Sequence, residues 1–398
     1  MGRSPDAVVI GGGLVGLASA RALAAAGLNT LVLERNREPG REASRAAAGL
    51  LVPQTERAMG TLGAADEVAE QAMLEILLAS RRRFPAFARE LEEASGRPVH
   101  YRSDGSILAA LTAVAADALA ARAREQSGRG LRAEWVEGSE ARRLEPALGP
   151  AVLAALVVPD DHQVDNVELA LAAVEAAGRE PRLELRCSAA VAAIVAAGGR
   201  AAGVRLGDGT RIDAGVVVLA AGAWSGGIEG LPREIPVRPI KGQMVALRPP
   251  AGSAIRRIVS LPGAYCVPRD DGRVLVGATV EDVGFDTTVD AAAGRALVEA
   301  AARIVPGFAT APMIAHWAGL RPGTPDGLPL LGWDPEMRGL LYATGHYRNG
   351  ILLAPVTAEI VESLTRGGPP PIDIEPFSAA RPFLASAAAG SAPNRMVR

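Results

Sequence analysis

Three glycines in one hexapeptide carry the plainest chemical signal in the chain. Gly11-x-Gly13-x-x-Gly16 follows the wholly apolar run Ala7-Val8-Val9-Ile10 and precedes a helical pattern. Gly11 permits a tight turn, Gly13 lets the backbone approach a pyrophosphate, and Gly16 lets helix and strand pack closely. With Leu14 and Val15 in the same turn, the pyrophosphate meets free N–H groups and the positive end of a helix dipole. Glu34 ends the next β-rich run, residues 30–33, and Arg35 follows it. A carboxylate there accepts both ribose hydroxyl hydrogens of an adenosine and repels a 2′-phosphate. Strand, turn, helix and acid together read as a dinucleotide site, though the motif alone does not separate FAD from NAD. The segment from Ala43-Ser44-Arg45 through Ala48-Gly49-Leu50 is small and apolar. It can pass edge-on beside a flat ring system, with Ser44 and Arg45 toward phosphate or ribitol oxygens. Its residues read equally well as an Ala-rich helix start.

The elements that hold these residues follow an α/β pattern. Strands at 7–10 and 30–33 flank a helix at 17–26, with Gly27 as its C-cap. An amphipathic helix spans 67–93, with Met73, Ile76, Leu77 and Phe84 on one side and Arg81, Arg82 and Arg83 as a solvated end. Helical patterns occur at 108–126 and 167–177, and strand-like runs at 152–159 and 182–186. Three β-rich runs, 191–195, 202–206 and 212–219, are separated by Gly198-Gly199 and Gly207-Asp208-Gly209, which are hairpin signals. Further strands fall at 243–247, 264–267 and 274–279, with Asp270-Asp271-Gly272 as a tight turn, and helices at 291–304 and 351–364. The pattern predicts a Rossmann-like α/β domain with an inserted α+β domain dominated by an antiparallel sheet. The dinucleotide domain is expected from 1–85, 160–237 and 316–370, and the substrate domain from 86–159 and 238–315. Residues 378–398 are Ala-, Ser- and Pro-rich, and a disordered tail is expected there.

Composition narrows the function classes. The 398 residues are 49% hydrophobic and 22% charged, ordinary for a globular chain of about two domains. A formal net charge of −2 offers no electrostatic case for nucleic acid or an anionic membrane. Two cysteines, Cys187 and Cys266, build neither a disulfide framework nor a Cys-rich metal site. The four histidines form no HxxxH or HExxH pattern, so no metal site is expected. Glycine or charge interrupts every apolar stretch of about 18 residues, so no membrane span is expected. No leader pattern precedes the first strand, and a cytoplasmic location is expected.

Six blocks give the chain a family resemblance. They are Val8-Val9-Ile10-Gly11-Gly12-Gly13, Ala46-Ala47-Ala48-Gly49-Leu50, Gln163-Val164-Asp165, Ala220-Ala221-Gly222-Ala223-Trp224-Ser225, Ala318-Gly319-Leu320-Arg321-Pro322, and Gly345-His346-Tyr347-Arg348-Asn349-Gly350-Ile351-Leu352-Leu353-Ala354-Pro355. On these the sequence resembles the D-amino-acid oxidase family of flavoproteins, and within it the glycine oxidases of the thiamine pathway. The resemblance implies non-covalent FAD, a small amine-bearing acid as substrate, O2 as electron acceptor and a homo-oligomer, with a tetramer as the form it suggests. It implies that Val191 meets the adenine through its backbone, and that Ala43, Ser44, Ala48, Gly49 and Leu50 form the flavin-side loop. Gly222 and Trp224 belong to the cofactor site in the same way. His346 to Leu352 is implied as the loop and helix start beneath the flavin pyrimidine. There the N–H groups of Asn349, Gly350 and Ile351 would face the flavin C2 carbonyl and favour the anionic reduced form.

The resemblance also implies the substrate contacts. A substrate carboxylate needs a partner, and Arg grips it with two parallel hydrogen bonds. Arg321 matches the family's carboxylate clamp, Tyr265 its carboxylate-binding hydroxyl, and Arg348 a second substrate-proximal residue. The implied reaction is hydride transfer from Cα to flavin N5, giving an imine that hydrolyses to a 2-oxo acid and ammonia, with H2O2 formed from O2. The imine of glycine would serve thiamine thiazole synthesis. The segment from Arg321 to Asp326 lacks the flavin-attaching cysteine of monomeric sarcosine oxidases. Arg45 and Asn166 also depart from the glycine-oxidase pattern. The rival readings are a D-amino-acid dehydrogenase with another acceptor, a 2-hydroxy-acid oxidase using His316 or His346 as base, and a non-catalytic dinucleotide sensor.

Overall fold

A run without polar residues, such as Ala7–Ile10, has to be covered on both faces. The computed structural model, which describes residues 4–60 and 67–381, buries all four of its residues. The strand pairs in parallel with Thr30–Leu33 on one side and Val216–Leu219 on the other. Leu183–Arg186 and Leu340–Thr344 extend the sheet in parallel, and Leu330–Trp333 closes one edge antiparallel. Strand alternation sends Ala7 and Val9 to one face and Val8 and Ile10 to the other. On the first face lie the helices Leu14–Ala25, Glu67–Ser95, Asn166–Gly178 and Gly350–Thr365, with Leu17, Phe84, Leu169 and Leu353 in the shared core. On the second, the three-stranded sheet of Val191–Ala197, Arg200–Leu206 and Arg211–Asp213 packs through Ile194 and Val204.

A second sheet has eight strands. Its order is Met313–Gly323, Arg238–Leu247, Val274–Gly277, Ala264–Pro268, Ile258–Leu261, Ser106–Ala110, Ala154–Val158 and Glu134–Glu137. All neighbours are antiparallel except Ile258–Leu261 and Ser106–Ala110. Met313–Gly323 pairs with Arg238–Leu247 along its whole length. Met244, Ala246 and Val267 turn toward Ala48 and Val52, so the flavin-side loop lies on this sheet. The α/β class, with a parallel Rossmann-like sheet joined to a mainly antiparallel one, is the class expected. Among the described residues no helix is long and apolar enough to cross a membrane.

Several local expectations change. The helix expected over 108–126 is a strand, Ser106–Ala110, and then a helix, Ala113–Gly128. Alanine is neutral enough for the two neighbouring strands to decide the matter, and Thr112 caps the helix by accepting from Ala115 N at 3.2 Å. The run at 212–219 splits, because Arg211–Asp213 joins a hairpin while Val216–Leu219 joins the central sheet. Arg81 is not solvated: it donates to Gln54 Oε1 at 2.6 Å and lies 3.8 Å from the buried Asp161. Of the expected tail, residues 382–398 lie outside the described residues. Ser378 to Arg381 is packed, with Arg381 held by Asp326 at 2.6 and 2.9 Å.

Asp161 anchors the helix Pro53–Met59 from below. It accepts from Thr55 N at 3.1 Å and from Ser106 Oγ at 2.9 Å. Burial pushes its carboxyl up to about 6, against hydrogen bonds from Thr55 and the charge of Arg81. A carboxyl raised in the folded state contributes stability that is complete below its unfolded value and lost as pH rises through its folded value. Asp161→Asn removes that dependence. Denaturant titrations from about pH 4 to about pH 7 should show wild-type stability falling relative to the variant by roughly 3 kcal/mol.

Candidate functional site

Between the two sheets runs a cavity of ≈ 420 Å3. The Gly11 to Gly16 turn forms one end. Gly11 sits at φ +109°, and a Cβ on it would meet Ala220 O at 2.5 Å. A Cβ on Gly16 would overlap Gly11 O, which accounts for the third glycine. The helix Leu14–Ala25 starts at Gly13, which has no side chain to cap it, and Gly13, Leu14, Val15 and Gly16 line the cavity at the helix N-terminus. Ser44 Oγ accepts from Leu14 N at 3.0 Å. Glu34 is 7% exposed and is oriented by Gly12 N and Asn36 N, each 2.8 Å from one carboxylate oxygen. Arg35 lies over the Trp224 ring at 3.4 Å, and Val191 and Gly222 complete this end.

The middle is built from the loop at 43–50. Gly49 holds φ +68°, and a Cβ there would overlap Val164 O. That close approach explains why Gly49 and the Gln163-Val164-Asp165 block occur together. Three side chains clamp the loop through its carbonyls. Asn166 Nδ2 donates to Ser44 O at 3.1 Å and Arg45 O at 3.0 Å, Arg269 Nη2 donates to Ala48 O at 2.9 Å, and Trp317 Nε1 donates to Ala46 O at 3.0 Å. Asn166 Oδ1 accepts from Arg269 at 2.8 Å, so the departure at Asn166 ties the clamp together. Ala43, Ser44, Ala48, Gly49 and Leu50 line the cavity, whereas Arg45 does not.

The other end gathers Arg321, Tyr265 and Arg348. Arg321 comes from the strand Met313–Gly323, and its Nη1 donates to Lys241 O at 3.3 Å and Thr279 O at 3.1 Å. Burial lowers its pKa, opposed first by Tyr265. Burial raises that of Tyr265 and keeps its hydroxyl protonated, with the Arg321 charge the first effect opposing it. Room for them comes from glycines: a Cβ on Gly242 would overlap the Arg321 guanidinium, and one on Gly277 would lie 2.6 Å from the Tyr265 hydroxyl. The helix Gly350–Thr365 starts here, with Asn349 at its N-cap and His346, Tyr347, Gly350 and Ile351 in the lining. His346 Nε2 lies 3.0 Å from Thr357 Oγ1, and burial pushes its ring down to about 4, so it is neutral.

Three expected residues stand behind the lining. Gly345 makes a turn at φ +74° against Thr324, Leu352 is core, and the Asn349 side chain bonds Glu56. His316 also stands apart, 3.1 Å from Gln243 Oε1. Glu56, Gly242 and Met244 line the cavity and were missed. Gly242 had a signal, an isolated glycine in a β-rich run marking close approach. Glu56 had none.

An elongated cavity with helix N-termini at both ends, a buried ribose-type carboxylate and small apolar walls fits FAD, and defines an FAD-dependent oxidoreductase. The family described as FAD dependent oxidoreductase, DAO, matches residues 6–364, and the chain belongs to it. Glycine oxidase of Pseudomonas putida is 35% identical over 94% of this chain and 98% of its own length. The bifunctional protein ThiO/ThiG of Synechocystis is 33% identical over 97% of this chain, which spans 58% of that protein. The crystal structure of glycine oxidase from Geobacillus kaustophilus superposes with a TM-score of 0.86, 34% identity, and coverage of 95% of this chain and 98% of that one. Gly242→Ala should leave FAD bound but drive Arg321 aside, and acetate titrated against the flavin absorption should bind at least about tenfold more weakly.

Proposed function

We propose that the chain oxidises glycine and other small amines, sarcosine and small D-amino acids among them, to a 2-oxo acid, the freed amine (ammonia, or methylamine from sarcosine) and H2O2. The observation that carries this reading is Arg321, a partly buried guanidinium facing an apolar cavity beside the Tyr265 hydroxyl. Such a pair is a carboxylate receptor. Gly11, Gly13, Leu14, Val15, Gly16, Glu34, Arg35, Val191, Gly222 and Trp224 hold the adenosine and pyrophosphate portions of FAD. Ala43 to Leu50 and His346 to Ile351 hold the flavin. FAD, when bound, supplies the acceptor for a hydride from the substrate Cα and passes the electrons onward.

The protein's part is orientation and exclusion of water. Arg321 and Tyr265 fix the carboxylate, and that fixes where Cα points. Ala46, Ala47 and Met244 present no proton-exchanging group to it. A side-chain base is not needed, because the lone pair of a deprotonated amine drives hydride departure. His346, whose ring burial pushes down to about 4 and whose Nε2 is engaged with Thr357, is a weak base, which disfavours a hydroxy-acid mechanism. The product imine hydrolyses or, as the likeness to ThiO/ThiG supports, feeds thiamine thiazole synthesis. O2 as acceptor, a homo-oligomer, cytoplasmic location and the division into FAD-binding and substrate domains are part of the same proposal.

Arg321→Ala tests it. The variant should keep the flavin spectrum and lose kcat/KM for glycine by about a hundredfold or more, since one partner of a buried charge pair is removed. Unchanged kcat/KM would remove Arg321 from the substrate site.

A further inference from the structure

The cavity holds two guanidinium groups where a monocarboxylate substrate needs one. Arg321 and Arg348 both line it, and the charge of each favours ionisation of the Tyr265 hydroxyl, against burial. Two partly buried cations in one cavity repel each other, and a second anion relieves that repulsion. Glu56 sets a carboxyl group beside one of them. It rises from the helix Pro53–Met59, is 5% exposed, sets Oε1 3.6 Å from Arg348 Nε, and is hydrogen-bonded by Asn349. Burial raises the Glu56 pKa and Arg348 is the first charge opposing it. Burial likewise works against the charge on Arg348, yet Glu56, with Tyr265 and Tyr347, leaves its pKa above the ordinary value.

We propose that Glu56 sets the charge of the substrate site: by neutralising Arg348 it leaves Arg321 as the one guanidinium offered to a ligand, so the cavity takes one carboxylate and discriminates against two. Glu56 is thus a specificity-determining residue, acting through Arg348. The proposal rests on the reading of Arg321 as the carboxylate clamp. It explains why a second arginine can line the site without turning it into a receptor for dicarboxylates. It also gives Asn349 a task, holding the Glu56 carboxylate toward Arg348.

The probes are acetate and malonate, one carboxylate against two, titrated into the FAD-loaded protein and followed by the flavin absorption. Neither has to be oxidised. Wild type should prefer acetate. In Glu56→Gln the affinity for malonate relative to acetate should rise about tenfold, and adding Arg348→Gln should abolish the gain. Arg348→Gln alone should weaken acetate about tenfold, because Glu56 is left as a bare anion, and adding Glu56→Gln should restore it. A Glu56→Gln protein with the wild-type malonate-to-acetate ratio overturns the proposal, as does a double variant without restoration. Should Glu56→Gln fail to hold FAD, Arg348→Gln decides alone: malonate must weaken more than acetate, and equal losses overturn the idea. Acetate binding indifferent to Arg321→Ala would instead remove the clamp itself, which distinguishes failure of that reading from failure of this one.

Discussion

A guanidinium withdrawn from water is costly unless every side of it is compensated, and the arrangement around Arg321 is such a compensation. Lys241 O and Thr279 O accept from one nitrogen, Tyr265 presents its hydroxyl, and Gly242 leaves the space the group occupies. Each contributor comes from the eight-stranded sheet or the turn that follows one of its strands. The pairing of Arg238–Leu247 with Met313–Gly323 sets Gly242 next to Arg321, since Gly242 pairs with Gly319 two residues before it. Register in the sheet therefore fixes the geometry of the anion receptor. On the cavity side the guanidinium faces the space where the proposed function puts the substrate carboxylate.

The opposite end works by main chain. Helix amides and close-approach glycines form that end, and Glu34, Arg35 and Glu42 are charged side chains in its lining. The flavin-side loop joins the two ends. Its carbonyls are held by Asn166 from a helix over the Rossmann-like sheet and by Arg269 and Trp317 from the second sheet. That clamp makes the distance between cofactor and carboxylate receptor a property of both sheets at once, which hydride transfer over a short, directed path requires.

Much of this was legible in the residues. Gly11, Gly13 and Gly16 each announce a steric demand, and Glu34 follows from the strand that must end beside them. The helix start at Gly350 was legible for the same local reason. Arg321 was found through resemblance, since an arginine in an unassigned stretch says nothing of its partners. The strands at 313–323 and 340–344 were missed because their partners, Arg238–Leu247 and Val216–Leu219, lie far away in sequence, and 330–333 was missed with them because it pairs with Leu340–Thr344 at the sheet edge. Ser106–Ala110 was lost inside an Ala-rich run whose helical tendency only the neighbouring strands override. Glu56 was invisible because its meaning lies wholly in Arg348, about 290 residues further on, and no local pattern encodes a contact of that separation.

The central claim is that a partly buried arginine presents a small amino acid to FAD. Its most direct test is anaerobic: add glycine, sarcosine and D-alanine separately to the FAD-loaded protein and follow the flavin band near roughly 450 nm, then admit air. The account predicts bleaching by at least one of the three and prompt recovery with H2O2 once air enters. A flavin band that none of them bleaches would contradict it.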